Sequence, residues 1–130
     1  MLKPYTITID SPAEELWRFN IRVAGEVLAN GERTEFVRFT HDVASVGSRH
    51  NEIPADYRPM PHIELHTAAG DALTLYIYYI VHSLPEESSV QHGVQRETDV
   101  RVSIKHGDEE VYRHHHAANV WSGCNIEIKL

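Results

Sequence analysis

Cysteine is nearly absent from this sequence. Cys124 is the single cysteine among 130 residues, so the sequence excludes an internal disulfide and a cysteine-based zinc site. It stands directly before an apolar alternating stretch, which is typical of a small core residue rather than a reactive thiol. We therefore expect a single domain, residues 1–130, whose hydrophobic core needs no cross-link.

Long hydrophobic segments and a targeting segment are also missing. The longest apolar run, "ALTLYIYYIV" at 72–81, has about half the length of a transmembrane helix. The opening "MLKPYTITID" lacks the continuous apolar stretch of a signal peptide. The sequence predicts a soluble protein that is cytoplasmic by default, with export without a signal peptide left open.

Positive charge is in deficit. Twelve Lys and Arg stand against nineteen Asp and Glu, for a formal charge of −7, which argues against nucleic acid and against membrane insertion as binding modes. The ten histidines qualify this, because protonating them all would carry the formal charge to +3. We expect an acidic, histidine-rich protein whose surface charge changes sign in mild acid.

Motifs of common enzymes are missing as well. There is no G-x-S-x-G, no glycine-rich phosphate loop and no H-E-x-x-H. The sequence therefore favours a protein without catalytic activity.

Alternation of apolar and polar residues is the dominant pattern that is present. It runs through "YTITI" (5–9), "WRFNIRV" (17–23) and "CNIEIKL" (124–130). Turn signals recur about every 8–12 residues, which indicates an all-β, antiparallel β-sandwich or jelly-roll-like fold of about seven to nine strands.

Three hairpins are predicted from turn residues. The turns are Asn30-Gly31, "AAGD" at 68–71 and His106-Gly107-Asp108. The strand after "AAGD" carries Tyr76, Tyr78 and Ile80 on one face and apolar residues on the other. Such a strand is either central and covered on both sides or part of a subunit contact, and the second alternative predicts a homo-oligomer.

The segment "HIELH" offers metal-ligand chemistry. On a strand, His62, Glu64 and His66 share one face, and two imidazoles with a carboxylate are the ligand set of many zinc and non-haem iron sites. The alternative is a polar face turned to solvent.

Three consecutive histidines follow in "YRHHHAANVW". On a strand, His114 and His116 face one way and His115 the other. A metal-binding pair, a pH-responsive binding rim and a plain polar edge are all compatible with this pattern.

Polar loops with an aromatic residue suggest sugar binding. Such sites combine Asn, Asp and His side chains that bind hydroxyls with a ring that packs on the sugar. The stretches "GSRHNEIPADY", "HGDEEVY" and "HHHAANVWSG" contain these residue types. The predicted ligand-binding residues are His50, Asn51, Tyr57, Asp108, His114, His116, Asn119 and Trp121.

The same segments resemble the bacterial calcium-dependent galactophilic lectins. "GEVLANGE" (25–32) is similar to their N-terminal strand, and "GSRH", "HGD" and "NVWSG" are similar to their sugar- and calcium-binding segments. The resemblance implies a small tetrameric β-sandwich, with His50 contacting sugar and with Asp108 and Asn119 beside Ca²⁺.

The sequence favours a non-catalytic, lectin-like carbohydrate-binding protein whose partner is a glycan or another small polar ligand. Two alternatives stay open. One is a cupin-like metal-dependent enzyme that uses His62, Glu64 and His66. The other is an acidic protein-interaction or inhibitor module, which the charge permits.

Overall fold

The computed structural model describes residues 2–12, 16–46, 62–82, 97–120 and 122–130. These residues form eight strands and one short 3-10 turn, Leu16–Arg18. The strands are β1 (Lys3–Asp10), β2 (Phe19–Ala29), β3 (Glu32–His41), β4 (His62–Gly70), β5 (Ala72–Val81), β6 (Glu97–His106), β7 (Glu109–Asn119) and β8 (Cys124–Lys129). The predicted all-β class is confirmed.

The strands form two four-stranded antiparallel sheets that pack face to face. Sheet A has the order β4-β1-β6-β7, and sheet B has the order β3-β2-β5-β8. Alternate residues of each strand point into the space between the sheets, as Ile7 and Ile9 do in β1 and Leu75 and Ile77 do in β5. All four of these side chains are fully buried, so the core is the layer between the sheets.

Two of the predicted hairpins are confirmed. Asn30 and Gly31 join β2 to β3 with φ values of 53° and 83°, the left-handed pair that a two-residue turn requires. Gly107, with φ of 62°, joins β6 to β7, and its amide donates to the Pro4 carbonyl at 2.9 Å. The local residue types determine both turns.

The predicted hairpin at "AAGD" is wrong. β4 belongs to sheet A and β5 to sheet B, so the chain passes from one sheet to the other at Gly70 and Asp71. Gly70 is buried against Val27, and the Asp71 amide donates to the Leu28 carbonyl at 2.8 Å. These contacts with β2 form a corner, for which Gly-Asp is as suitable as it is for a hairpin.

The outer residues of β5 are partly exposed. This strand lies between β2 and β8, so it is central in sheet B, and Leu73, Leu75 and Ile77 face the core. Tyr78 and Ile80 on the opposite side are 38% and 37% exposed. The strand is thus central, as the first alternative expected, but within the described residues its outer side is not covered.

Among the described residues, no helix is long and apolar enough to span a membrane.

The hydroxyl of Tyr79 is a buried polar group in the apolar layer. Its ring meets Phe19 edge-on at 5.8 Å between centroids, and the residue is 1% exposed. The hydroxyl has no hydrogen-bond partner in the described parts of the chain, and burial raises the pKa of Tyr79 far above its ordinary value. A buried hydroxyl without a partner costs free energy in the folded state.

We expect Tyr79→Phe to raise the free energy of unfolding by about 1 kcal/mol, because it removes this hydroxyl and keeps the ring. Urea denaturation measures the change. Tyr78→Phe, at an exposed position of the same strand, is the control and should stay within about 0.5 kcal/mol of the unmodified protein. Destabilisation by Tyr79→Phe would contradict the expectation.

Candidate functional site

The residues predicted to bind sugar are spread along one strand as far as they are described. His50, Asn51, Tyr57 and Trp121 lie outside the described residues. Asp108 lies in the turn before β7, and Asn119 is the last residue of that strand. At about 3.3 Å per residue, Asp108 and Asn119 are roughly 35 Å apart, so within one chain they cannot contact the same small ligand.

The segments "HGDEEVY" and "HHHAANVWSG" are largely strand rather than loop. β7 extends from Glu109 to Asn119, which agrees with the strand predicted after the turn at 106–108 and corrects the sugar-site hypothesis, which placed these stretches in loops. At its end the Asn119 side-chain oxygen accepts a hydrogen bond from the Ser122 amide at 3.2 Å. Alternation therefore governs where the histidines point.

His114 and His116 share one face of β7, as predicted. They lie opposite Val102 and Val100, whose side chains are buried, and so they are on the core side of an edge strand. The Tyr112 hydroxyl and His116 Nε2 are 3.1 Å apart, and the two imidazole centroids are separated by 6.2 Å. His116 and Tyr112 are thus partly buried, whereas His114, on the same face, is exposed.

The pKa of His116 is lowered from its ordinary value of 6.5. Burial is the main cause, and the nearby His114 adds to it. Asp99 acts in the opposite direction, and His115 acts in the same direction as His114. Protonation of the folded protein is therefore disfavoured at this position.

We expect stability to decline in mild acid because of His116. Above about pH 6.5 this side chain is neutral in both the folded and the unfolded chain, so it adds no pH dependence. As the pH falls below 6.5, the unfolded chain binds the proton first, and stability is lost until the pH reaches the lower folded pKa. Thermal midpoints between pH 7.5 and 5 measure the effect.

His116→Gln should flatten this profile, whereas His62→Gln, at an exposed site on β4, should leave it unchanged. An equally steep profile in His116→Gln would remove the explanation.

The outer face of sheet A is polar and carries the "HIELH" residues. His62, Glu64 and His66 share this face of β4, as predicted, and all three are exposed. The His66 Nε2 and the Glu64 carboxylate are 3.0 Å apart. Among the described residues, no group of three or more His, Cys, Asp or Glu side chains is arranged to hold a metal ion.

Ion pairs lie on the neighbouring strands β1, β6 and β7 of this face. Arg101 donates two hydrogen bonds to the Asp10 carboxylate at 2.8 and 2.7 Å. The His115 Nδ1 and Asp99 are 2.7 Å apart. The charged groups in this part of the face are therefore already paired with each other.

The outer face of sheet B contains a depression of about 350 Å³, a size within the range of small-ligand sites. We call it the sheet-B depression. It is lined by Ala24, Gly25, Glu26, Phe36, Val37, Arg38, Thr74 and Tyr76.

Strand register explains why this depression forms. Arg38, Ala24 and Tyr76 are cross-strand neighbours on β3, β2 and β5. Ala24 is the smallest of the three and stands between two long side chains, so the surface is low at its centre. The next row is Phe36, Glu26 and Thr74, which adds one ring, one carboxylate and one hydroxyl.

Phe36 is the most exposed aromatic side chain among the described residues, at 51%. Two guanidinium groups lie over its ring. The Arg33 Cζ is 4.0 Å from the ring centroid, and the Arg38 Cζ is 5.4 Å from it. Cation–π attraction therefore orders two arginines beside the depression.

The sequence contains a single indication of this site. Tyr76 lies on the second apolar face of β5, whereas no sequence pattern points to Phe36, Arg38 or Glu26 as site residues. Their proximity depends on the pairing of β3, β2 and β5, which alternation within any one strand does not predict.

Comparison with known proteins supports the fold. No family model matches the chain, and no curated protein matches it in sequence. The solved structure of a DUF4425 family protein from Bacteroides ovatus superposes with a TM-score of 0.54 at 13% identity. The alignment covers 100% of this chain and 94% of that chain, so the likeness extends over the whole sandwich. At this identity it concerns the fold alone.

Proposed function

We propose that the protein is a non-catalytic carbohydrate-binding protein and that the sheet-B depression is its sugar site. The observation that carries the proposal is the combination of aromatic walls with polar groups in one depression of suitable volume. This differs in place from the loop site expected from the sequence, while the class of ligand is the same.

The chemistry of the lining suits a sugar ring. Phe36 and Tyr76 offer apolar ring surface on which the C–H face of a pyranose packs. Glu26 accepts hydrogen bonds from hydroxyls, Arg38 donates them, and Thr74 does both. These groups surround Ala24, which leaves room for the ring.

Binding of the full chain to a broad glycan array tests the proposal. We expect defined signals that Phe36→Ala abolishes, while a blank array across neutral and charged glycans would contradict it. If the sugar instead binds at the loop site predicted from the sequence, Trp121→Ala or Asn119→Ala should abolish binding. The variants therefore distinguish the two locations.

The remaining expectations stay predictions. The lectin resemblance implies Asp108 and Asn119 beside Ca²⁺, but in this fold they lie at opposite ends of β7, so one calcium ion would need them from different copies of the chain. This calcium site and a metal enzyme built on "HIELH" are tested by metal analysis of protein purified without a metal-affinity step. The homo-oligomer is tested by sedimentation, with Tyr78 and Ile80 as the exposed outer residues of β5 through which copies would meet. Co-purification of a protein at equal stoichiometry would favour the interaction module.

A further inference from the structure

Arg33 and Arg38 place two positive charges around the ring of Phe36 on the edge strand of sheet B. Both guanidinium groups lie over the ring of Phe36, and no carboxylate pairs with either of them in the described parts of the chain. Elsewhere on the same face Arg22 is paired with Asp42, at 2.5 Å. Two neighbouring guanidinium groups repel each other, and a bound anion would neutralise this repulsion.

A β-bulge places Arg33 in this position. Val27 pairs with Glu35 and Leu28 pairs with Arg33, so Thr34 is an extra residue in β3. Without it, Arg33 would follow the alternation of Glu35 and Val37 and point toward sheet A. With it, Arg33 is on the outer face beside Phe36. The Thr34 hydroxyl donates to the Val27 carbonyl at 3.3 Å, which holds the bulge.

From this arrangement we propose that the ligand of the sheet-B depression is an acidic glycan whose carboxylate binds Arg33 and Arg38. The inference rests on the proposed carbohydrate-binding function and names its ligand class. A planar guanidinium presents paired N–H donors that match a carboxylate, and the cation–π contacts with Phe36 hold both guanidinium groups near its ring before the ligand arrives.

Glu26 is compatible with a ligand whose carboxylate lies over β3. Arg33 and Arg38 belong to the edge strand β3, whereas Glu26 and Thr74 belong to the inner strands β2 and β5. A uronic acid residue that places its carboxylate over β3 directs its hydroxyls toward Glu26 and Thr74. The lining itself carries one positive charge, on Arg38, and one negative charge, on Glu26, and Arg33 beside Phe36 adds a second positive charge, in a protein whose formal charge is −7.

Matched pairs of glycans test the inference. Each pair consists of a uronic acid oligosaccharide and the same oligosaccharide after reduction of its carboxyl groups to neutral alcohols. We expect the acidic member to bind at least about tenfold more tightly, which is the scale of one charge-assisted hydrogen bond. The double variant Arg33→Gln/Arg38→Gln should bind both members equally.

Arg113→Gln is the control, because Arg113 is an exposed arginine on sheet A that pairs with Glu110. It should keep the acidic preference in full. Equal binding of acidic and neutral members by the unmodified protein overturns the inference while leaving carbohydrate binding intact. Preference for sulfated over carboxylated glycans also overturns it. Absence of binding to every member overturns both the inference and the proposed function.

Discussion

Gly123→Ala is expected to lower the free energy of unfolding by about 4 kcal/mol or more, which places it among exceptionally damaging single substitutions. Gly123 has φ of 75°, where an L side chain is strained. A Cβ at this position would overlap the carbonyl oxygen of Tyr79. That oxygen belongs to the backbone of a central strand, so relief requires β8 to move away from β5.

Gly31→Ala is the matched control for this prediction. Gly31 also has a left-handed backbone, with φ of 83°, but a Cβ there meets nothing within 4 Å. We expect Gly31→Ala to lower the free energy of unfolding by only about 1 kcal/mol, from backbone strain alone. Urea denaturation of both variants separates strain from overlap. Equal losses in the two variants would show that the contact with Tyr79 is unimportant.

Phe36→Ala is expected to weaken glycan binding about a hundredfold, the effect of losing a central contact residue. The substitution removes the exposed ring of the sheet-B depression and releases Arg33 and Arg38 from it. Both acidic and neutral glycans should lose affinity. Because the side chain is half exposed, stability should change by less than about 1 kcal/mol.

Tyr78→Ala is the control for the loss of an aromatic side chain. Tyr78 is on the same outer face but does not line the depression. Titration calorimetry with a glycan identified on the array gives the affinities of both variants. If Tyr78→Ala weakens binding as much as Phe36→Ala does, the site is elsewhere on the face.

The sequence predicted those parts of the fold that short stretches determine. Asn30-Gly31 and Gly107 form turns because few other residues adopt positive φ there, and alternation identified β1 and β8 from their own residues. The hairpin predicted at Gly70 and Asp71 is wrong because these residue types suit both a hairpin and a corner between sheets. Only the packing of Gly70 against Val27 decides between them.

The candidate site was less predictable for a related reason. Its lining comes from β2, β3 and β5, and the neighbours Arg38, Ala24 and Tyr76 meet only through strand register. Three consecutive histidines suggest a joint role. In the structure, however, alternation divides them between the two faces of an edge strand.

The bulge at Thr34 makes the charge of the depression depend on chain length. A gain or loss of one residue between Arg33 and Phe36 would reverse the direction of Arg33 without altering any side chain that lines the depression. Natural variants with such an insertion or deletion are therefore expected to bind less acidic ligands, although a residue-by-residue comparison of the lining would find them identical. Alignment gaps in this hairpin are the place to look for divergence of ligand preference.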